Sequence, residues 1–257
     1  LIFDPGGSGS HVVSVLGFTL NTDEWHPQAG PAYLSGQPND ESSSAWVDHL
    51  VIHDDVLGPY YCVSRAGLFD TGGARSRLKP KAVIALLPAK VELSPVQAES
   101  IAREAFREFK RDFTGAKIKG REPWWGLLFK DDGRRVYRTT LARRDDYIAG
   151  LKAGPFARGG AMRAALVIAA VEARLPEQFW LVEITLPQLF VGNRAGVAEL
   201  LISVDSIADE TPSAQVVGLR FPSWIGVAVA PAQFTVWPFP VHRHRRLQTL
   251  GYHRNGW

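Results

Sequence analysis

The sequence predicts an α+β protein with two parts, residues 1–90 and residues 91–257. In the first part, short apolar runs rich in β-branched residues alternate with turn residues, which is typical of antiparallel strands. In the second part, a capped helical pattern is followed by further short apolar runs. The chain has 257 residues, of which 46% are hydrophobic and 21% charged, so it is long and apolar enough to bury a substantial core.

The first part is predicted to contain four strands separated by turns and loops. Residues 21–45 and 66–79 are predicted as loops, because turn-forming residues cluster there without apolar periodicity. The predicted strands cover residues 11–18, 45–53, 58–64 and 82–87, the last as a buried strand.

The second part opens with a strong helix signal. Ser94 is the N-cap, Pro95 takes the first helical position and Gln97 completes a capping box. The helix is predicted to run to Phe113, with an apolar side formed by Ile101, Ala105, Phe106 and Phe109. A second helix is predicted over 160–174, and strands or extended segments at 124–125, 135–141, 179–186, 197–204, 224–230 and 234–239.

Charge and hydropathy narrow the classes of partner. Residues 1–93 carry 6 basic and 10 acidic side chains, and the remainder carries 23 and 16. Much of the basic excess lies in the segment that begins at Val241, and a solvated tail is favoured there over nucleic-acid binding. The longest apolar run, residues 164–171, is far short of the roughly 20 residues that a membrane span needs, so no membrane partner is predicted.

Cysteine usage and the opening residues add two expectations. Cys62 is the only cysteine, so neither an internal disulfide nor a multi-cysteine zinc site can form within these residues. A reducing, cytoplasmic setting fits this usage best. The opening resembles the end of a strand entering a Gly/Ser turn, and we expect the chain to continue upstream of Leu1.

The most specific chemical pattern joins a histidine to an acidic pair. His11 begins an apolar run that ends in Gly17-Phe18, and the next predicted strand ends in Asp54-Asp55. Over about residues 1–65 the pattern resembles the papain-like cysteine peptidases, particularly the bacterial C39-like branch. There a His begins a strand of the form G-H-x-V-x-V-x-G-Y/F, and the next strand ends in an Asp that orients the His. Here His53 and Asp55 flank the Asp where that family often has Asn and Pro.

The resemblance implies a cysteine hydrolase, a peptidase or isopeptidase that acts on a peptide or protein and needs no cofactor. His11 would be the general base, Asp54 would orient it, and the nucleophilic Cys would lie upstream of Leu1. A thiol needs such a base because the thiolate is the reactive form, and the imidazole needs an acceptor that fixes its tautomer. Neighbouring antiparallel strands can place the two Cβ atoms about 5 Å apart. Cys62 follows the Asp and is predicted to be a buried structural thiol.

Other interpretations remain open at this point. His11 can bond the local backbone, and Asp54-Asp55 can form a turn. The chain can be a non-catalytic papain-like binding module, or a nucleic-acid-associated protein that uses its basic segment. A metal site that uses His49 and His53 with Asp55 or Asp48 is possible by spacing but not favoured, and no metal is predicted. The sequence does not indicate the oligomeric state.

Two further groups of side chains in the second part are predicted not to bind a ligand. The arginines at 134, 135, 138, 143 and 144 could line a phosphate groove, but a solvated charged face is favoured. The aromatic positions are predicted to lie in the core or at an interface, and they are Trp124, Trp125, Phe179, Trp180, Trp224 and Trp237.

Overall fold

The computed structural model describes residues 1–4, 10–20, 40–56, 58–64, 79–115, 128–129, 134–153, 161–186, 196–205, 211–221 and 224–239. The strands are β1 (Ile2–Asp4), β2 (His11–Val12), β3 (Ser14–Leu20), β4 (Glu41–Ser42), β5 (Val47–Asp54), β6 (Gly58–Ser64), β7 (Lys79–Ala82), β8 (Val136–Arg143), β9 (Gln178–Thr185), β10 (Ala198–Ile202), β11 (Val216–Phe221), β12 (Trp224–Ala230) and β13 (Gln233–Pro238). The α-helices are α1 (Pro95–Gly115), α2 (Arg144–Lys152) and α3 (Ala161–Glu172). Short 3-10 helices cover Ser43–Trp46 and Pro212–Gln215. The α+β class is therefore confirmed.

The chain divides into two compact units. The first comprises Leu1–Gly36 and Ser43–Pro88, and the second comprises Gln37–Ser42 and Ala89–Trp257. Residues 40–42, the described part of Gln37–Ser42, therefore belong to the second unit although Ser43 belongs to the first. Within the described residues, no helix has both the length and the apolar character that crossing a membrane requires.

The first unit contains two three-stranded antiparallel sheets, in the orders β2-β1-β7 and β3-β5-β6. The strands of the β3-β5-β6 sheet lie close to the predicted ones. Alternate residues of β5 and β6 are apolar and point to one side of this sheet. That side forms a small core of Leu1, Val13, Ile52 and Val63, with Leu50 packed against it.

The apolar side of the β3-β5-β6 sheet is incompletely covered. Val15 and Tyr61 stand opposite Ile52 on either side, and Phe18 stands opposite Leu50. Their exposed fractions are 42% for Val15, 47% for Tyr61 and 55% for Phe18. Apolar side chains of the first unit therefore remain at its surface.

The second unit is built on a seven-stranded sheet in the order β13-β12-β11-β10-β9-β8-β4. Strands β8 to β13 pair antiparallel, whereas β4 pairs with β8 in parallel. Alternate residues of β9 pack into two different cores. Trp180 and Val182 pack with α1, whereas Phe179 and Leu181 pack with α2 and α3. The sheet thus lies between α1 on one face and α2 with α3 on the other.

Helix α1 begins where the capping signal predicts. The Ser94 N–H donates to Gln97 Oε1 at 2.8 Å, and the Gln97 N–H donates to Ser94 Oγ at 3.3 Å, which forms a capping box. The predicted apolar side is confirmed as well, because Ala105, Phe106 and Phe109 are buried in the core.

We expect Ser94→Ala to lower the free energy of unfolding by about 1 kcal/mol, because the N–H of Gln97 loses its acceptor. Urea denaturation followed by circular dichroism measures this loss. Ser100→Ala is the matched control, since Ser100 is exposed within the same helix and caps nothing. Equal losses in the two variants would show that the box contributes no stability.

The structure corrects several predicted elements. The predicted buried strand at 82–87 is wrong: β7 ends at Ala82, and Val83, Ile84 and Leu86 are 68%, 70% and 94% exposed. That apolar run lies past the end of β7, where no strand of the described part pairs with it. Helix α2 and strand β11 were not predicted. The predicted loop at 21–45 is wrong at its end, where Glu41–Ser42 forms β4 and Ser43–Trp46 a 3-10 helix, and Lys79, the last residue of the predicted loop at 66–79, begins β7. Residues 21–39 and 66–78 of these loops, and the predicted strand at 124–125, lie outside the described residues.

Candidate functional site

Strand register places His11 at the end of β5. Ser14, the first residue of β3, pairs with His53 of β5, and the two strands run antiparallel. Residues that precede Ser14 therefore face residues that follow His53. This brings His11 toward Asp54 and Asp55, although the His and the acidic pair are more than 40 positions apart in the sequence.

His11 and Asp54 are in direct contact. His11 Nε2 lies 3.0 Å from Asp54 Oδ2, and the exposed fractions of the two side chains are 29% and 5%. The other carboxylate oxygen, Asp54 Oδ1, accepts the Val56 N–H at 2.8 Å. Contacts at both oxygens fix the orientation of the Asp54 carboxylate, and the carboxylate in turn orients the imidazole ring.

Asp55 supplies a second carboxylate to the same ring nitrogen. Its Oδ1 lies 3.3 Å from His11 Nε2, and its side chain is 78% exposed. Successive side chains of a regular strand point to opposite faces. Strand β5 ends at Asp54 after a register irregularity that begins at Ile52, and the chain turns at Asp55. Two neighbouring aspartates can therefore approach one ring.

This arrangement suits a general base. When Asp54 is ionised, His11 Nε2 carries the ring proton and donates it to the carboxylate. The lone pair of the neutral ring is then at Nδ1, which is the atom that can take a proton from a nucleophile. The carboxylates of Asp54 and Asp55 stabilise the imidazolium that forms when it does.

The prediction that Cys62 is a buried structural thiol is wrong, because Cys62 is exposed. Its neighbours Tyr61 and Val63 lie opposite Ile52 and Leu50 on the core side of the sheet. Strand alternation therefore points Cys62 to the other side. Cys62 pairs with Val51, about 10 Å along β5 from Asp54, so the structure does not bring the thiol to the His11 ring.

The alternative metal set built on His49 and His53 is not assembled among the described residues. His49 Nδ1 lies 2.9 Å from Asp48 Oδ2, and His53 is exposed opposite Ser14. The described residues do bring together a different group, His11 with Asp54 and Asp55, whose potential ligand atoms all lie within 4.8 Å of one another. The spacing in the sequence identified Asp55 as a possible metal ligand but combined it with His49 and His53 instead of His11.

The arginines around the start of β8 lie in ion pairs. Arg134 pairs with Glu41, Arg138 pairs with Glu183, and Arg135 Nε lies 2.8 Å from Asp40 Oδ1. The interpretation of these three positions as a solvated face is wrong, because the side chains of Arg134, Arg135 and Arg138 are only 18%, 8% and 12% exposed. The five arginines do not form a shared basic groove: Arg143 is exposed, and Arg144 Nε lies 3.8 Å from Asp145 Oδ1.

A buried tyrosine adjoins the Asp40–Arg135 pair. The Arg103 guanidinium carbon lies 4.9 Å from the centre of the Tyr137 ring, and Tyr137 is fully buried. Burial, together with the nearby Asp40 carboxylate, raises the pKa of Tyr137, while Arg135 and Arg103 oppose part of that rise. The phenol is therefore neutral across the physiological range, which favours a structural role over acid–base chemistry.

A row of charged side chains that was not predicted crosses four strands of the same sheet. Arg138 lies opposite Glu183, Glu183 opposite Glu199, and Glu199 opposite Arg220. Arg220 Nη1 lies 3.5 Å from Glu199 Oε1, and the Tyr147 hydroxyl donates to Glu199 Oε2 at 3.0 Å. Each carboxylate is thus paired with a guanidinium, and we interpret the row as structural. Finding it requires the strand register, which the sequence does not provide.

The aromatic predictions hold where the structure describes them. Phe179 and Trp180 are buried in the two cores, and Trp224 and Trp237 pack against them. Trp124, Trp125 and the basic segment that begins at Val241 lie outside the described residues.

No family model matches the chain, and the comparisons with curated proteins and with solved structures found no match either.

Proposed function

We propose that the first unit carries the histidine and aspartate of a papain-like cysteine hydrolase that acts on amide bonds, as a peptidase or isopeptidase. The observation that carries the proposal is the 3.0 Å contact between His11 Nε2 and the buried carboxylate of Asp54. A base oriented by a fixed carboxylate is what nucleophilic catalysis by a thiol requires.

In this proposal each group has one chemical role. His11 Nδ1 takes the proton of a cysteine thiol, and the thiolate attacks the amide carbonyl carbon. The same nitrogen then gives the proton to the leaving amine, which leaves an acyl thioester that water hydrolyses. Asp54 is a positioning residue, since it holds the ring through Nε2 and does not touch the reacting atoms.

The thiol is proposed to belong to sequence upstream of Leu1. Cys62 is an unsuitable nucleophile because it points away from the core side of its sheet, about 10 Å along β5 from Asp54. Its exposure makes it useful in another way, as an internal reference for an ordinary, accessible thiol.

The test is thiol labelling of the protein with its upstream sequence, at about pH 5.5, where a cysteine of ordinary pKa is almost entirely protonated. Iodoacetamide labelling, mapped by mass spectrometry, compares each upstream Cys with Cys62. We expect one upstream Cys to label at least about tenfold faster, because an imidazolium partner keeps it as the thiolate.

The matched variants are His11→Ala and His49→Ala. His11→Ala should bring the fast cysteine down to the rate of Cys62. His49→Ala removes a histidine that also contacts an aspartate, and should leave the fast rate in place. The proposal fails if no cysteine labels faster than Cys62, or if His11→Ala leaves the fast rate unchanged.

A binding module without a nucleophile is the second candidate function. The exposed apolar side chains Val15, Phe18 and Tyr61 favour it, because exposed apolar side chains grouped on one sheet face are typical of interaction sites. The labelling experiment separates the two candidates, since a binding module has no hyperreactive thiol.

A further inference from the structure

We propose that His11, Asp54 and Asp55 form a binding site for a divalent transition-metal ion such as Zn²⁺, and that the bound ion switches off the base. The second half of this inference rests on the proposed function, because it concerns the regulation of the same histidine. The metal site itself rests only on the geometry of the three side chains.

The distances between the ligand atoms are close to those of a metal site. His11 Nε2 lies 3.0 Å from Asp54 Oδ2 and 3.3 Å from Asp55 Oδ1, and all three ligand atoms lie within 4.8 Å of one another. In a tetrahedral zinc site with bonds of about 2.0–2.1 Å, neighbouring ligand atoms are about 3.3 Å apart. The side chains therefore need only small movements to bind the ion.

The two carboxylates favour a divalent cation over the one proton that His11 Nε2 carries. Two carboxylates converge on one ring nitrogen, and a divalent ion at that point offers two positive charges to them. Asp54 is held by the Val56 N–H and is 5% exposed, whereas Asp55 is 78% exposed and faces the solvent from which an ion would arrive. One imidazole nitrogen with two carboxylate oxygens suits zinc, and a fourth position remains for water.

Binding changes the tautomer of His11. The ion takes the lone pair of Nε2, so the proton that Nε2 carried is lost to solvent and the neutral ring takes one up at Nδ1. A protonated Nδ1 cannot accept the proton of a thiol. The ion thus converts the base into a hydrogen-bond donor.

The first measurement is a titration of the 257-residue chain with zinc chloride by calorimetry at about pH 7.5. The background is the His242→Ala/His244→Ala double variant, which removes an H-x-H pair as a competing site. We expect Asp55→Asn to weaken zinc binding at least about tenfold, since it removes a direct ligand. His49→Ala is the matched control and should bind as tightly as the background protein, because His49 contacts a single carboxylate.

Nitrogen-15 NMR of the histidine rings gives the second measurement. We expect zinc to bind Nε2 of His11 and to move the ring proton to Nδ1, with no such change at His49 or His53. The inference is overturned if Asp55→Asn binds zinc as tightly as the background protein, or if the ion is found on another histidine. Zinc at His11 without a hyperreactive thiol would leave the metal site standing and reject the hydrolase. A hyperreactive thiol without zinc binding would support the hydrolase and reject the metal site.

Discussion

Asp54→Ala is expected to lower the amide hydrolysis proposed for the protein with its upstream sequence by about 10²–10⁴-fold, which is the range that a positioned general base contributes. The reason is geometric. The variant removes the buried acceptor 3.0 Å from His11 Nε2 and leaves only the exposed carboxylate of Asp55 at 3.3 Å, so the ring loses its fixed orientation and much of its preference for one tautomer. Release of fluorophore from a mixture of peptide amides measures the rate.

Two variants separate positioning from simple destabilisation. Asp54→Asn keeps an oxygen that can accept from Nε2, and should restore much of the rate lost in Asp54→Ala. Asp48→Ala removes the carboxylate that contacts His49 in the same strand, and should leave the rate close to that of the unchanged protein. The NMR spectrum of the His11 ring measures its tautomer, which a change in the free energy of unfolding does not alter. Asp54→Ala should let both neutral tautomers appear.

Equal loss of activity in Asp54→Ala and Asp48→Ala would contradict the assigned role. So would a His11 tautomer that is unchanged in Asp54→Ala. Either result would mean that the contact with Asp54 does not set the state of the ring.

Local signals predicted much of the fold. The capping box of α1 involves residues three positions apart, and the structure has both of its hydrogen bonds. The apolar runs at 45–53 and 58–64, separated by turn residues, were sufficient to predict β5 and β6. Such features depend on the chain within a few residues, which is the range over which sequence patterns are informative.

Features that depend on register or on close packing were missed. Strand β11 contains Gly218, which weakens a strand pattern. A Cβ at that position would lie 3.3 Å from Leu175 Cδ2 and 3.4 Å from the Gly226 carbonyl oxygen, so the glycine is there for close packing. The row from Arg138 to Arg220 requires the pairing of four strands, which the sequence does not reveal.

The candidate site also has one part that local sequence signals predicted and one part that they could not. His11 and Asp54 could be named from the ends of two predicted strands, and the structure brings them into contact. The role of Asp55 could not be predicted, since alternation would point it away from Asp54. Its contact with His11 depends on the irregular end of β5.

Arg135→Met is expected to lower the free energy of unfolding by about 3–5 kcal/mol, the largest loss of stability that we predict, because it leaves the buried Asp40 carboxylate with only the exposed guanidinium of Arg107, 4.0 Å from its Oδ2. Arg135 Nε lies 2.8 Å from Asp40 Oδ1, and the side chains are 8% and 6% exposed. The same guanidinium donates to the Leu128 carbonyl oxygen at 3.0 Å and lies 5.1 Å from the Phe106 ring. Methionine keeps much of the volume of the arginine side chain, so the lost stability measures the charge and the hydrogen bonds of Arg135.

The double variant Asp40→Leu/Arg135→Met decides whether the pair itself stabilises the protein. Removing both charges also removes the uncompensated carboxylate, so we expect the double variant to recover most of the loss. Lys152→Met is the control for an exposed pair, since Lys152 and Glu172 are 58% and 42% exposed, and it should cost less than about 1 kcal/mol.

Urea denaturation of the four proteins distinguishes two accounts of residues 40–42, which belong to the second unit although Ser43, the next residue in the chain, belongs to the first. If Arg135→Met costs several kcal/mol and the double variant recovers, the unpaired charge of Asp40 is the cause, and apolar packing can hold the segment equally well. If both variants lose the same amount, the hydrogen bonds of Arg135 to Leu128 and Asp40 hold the segment, and charge is secondary. A loss below about 1 kcal/mol in Arg135→Met would contradict the prediction, because it would mean that Arg107, 4.0 Å from Asp40 Oδ2, compensates the carboxylate by itself.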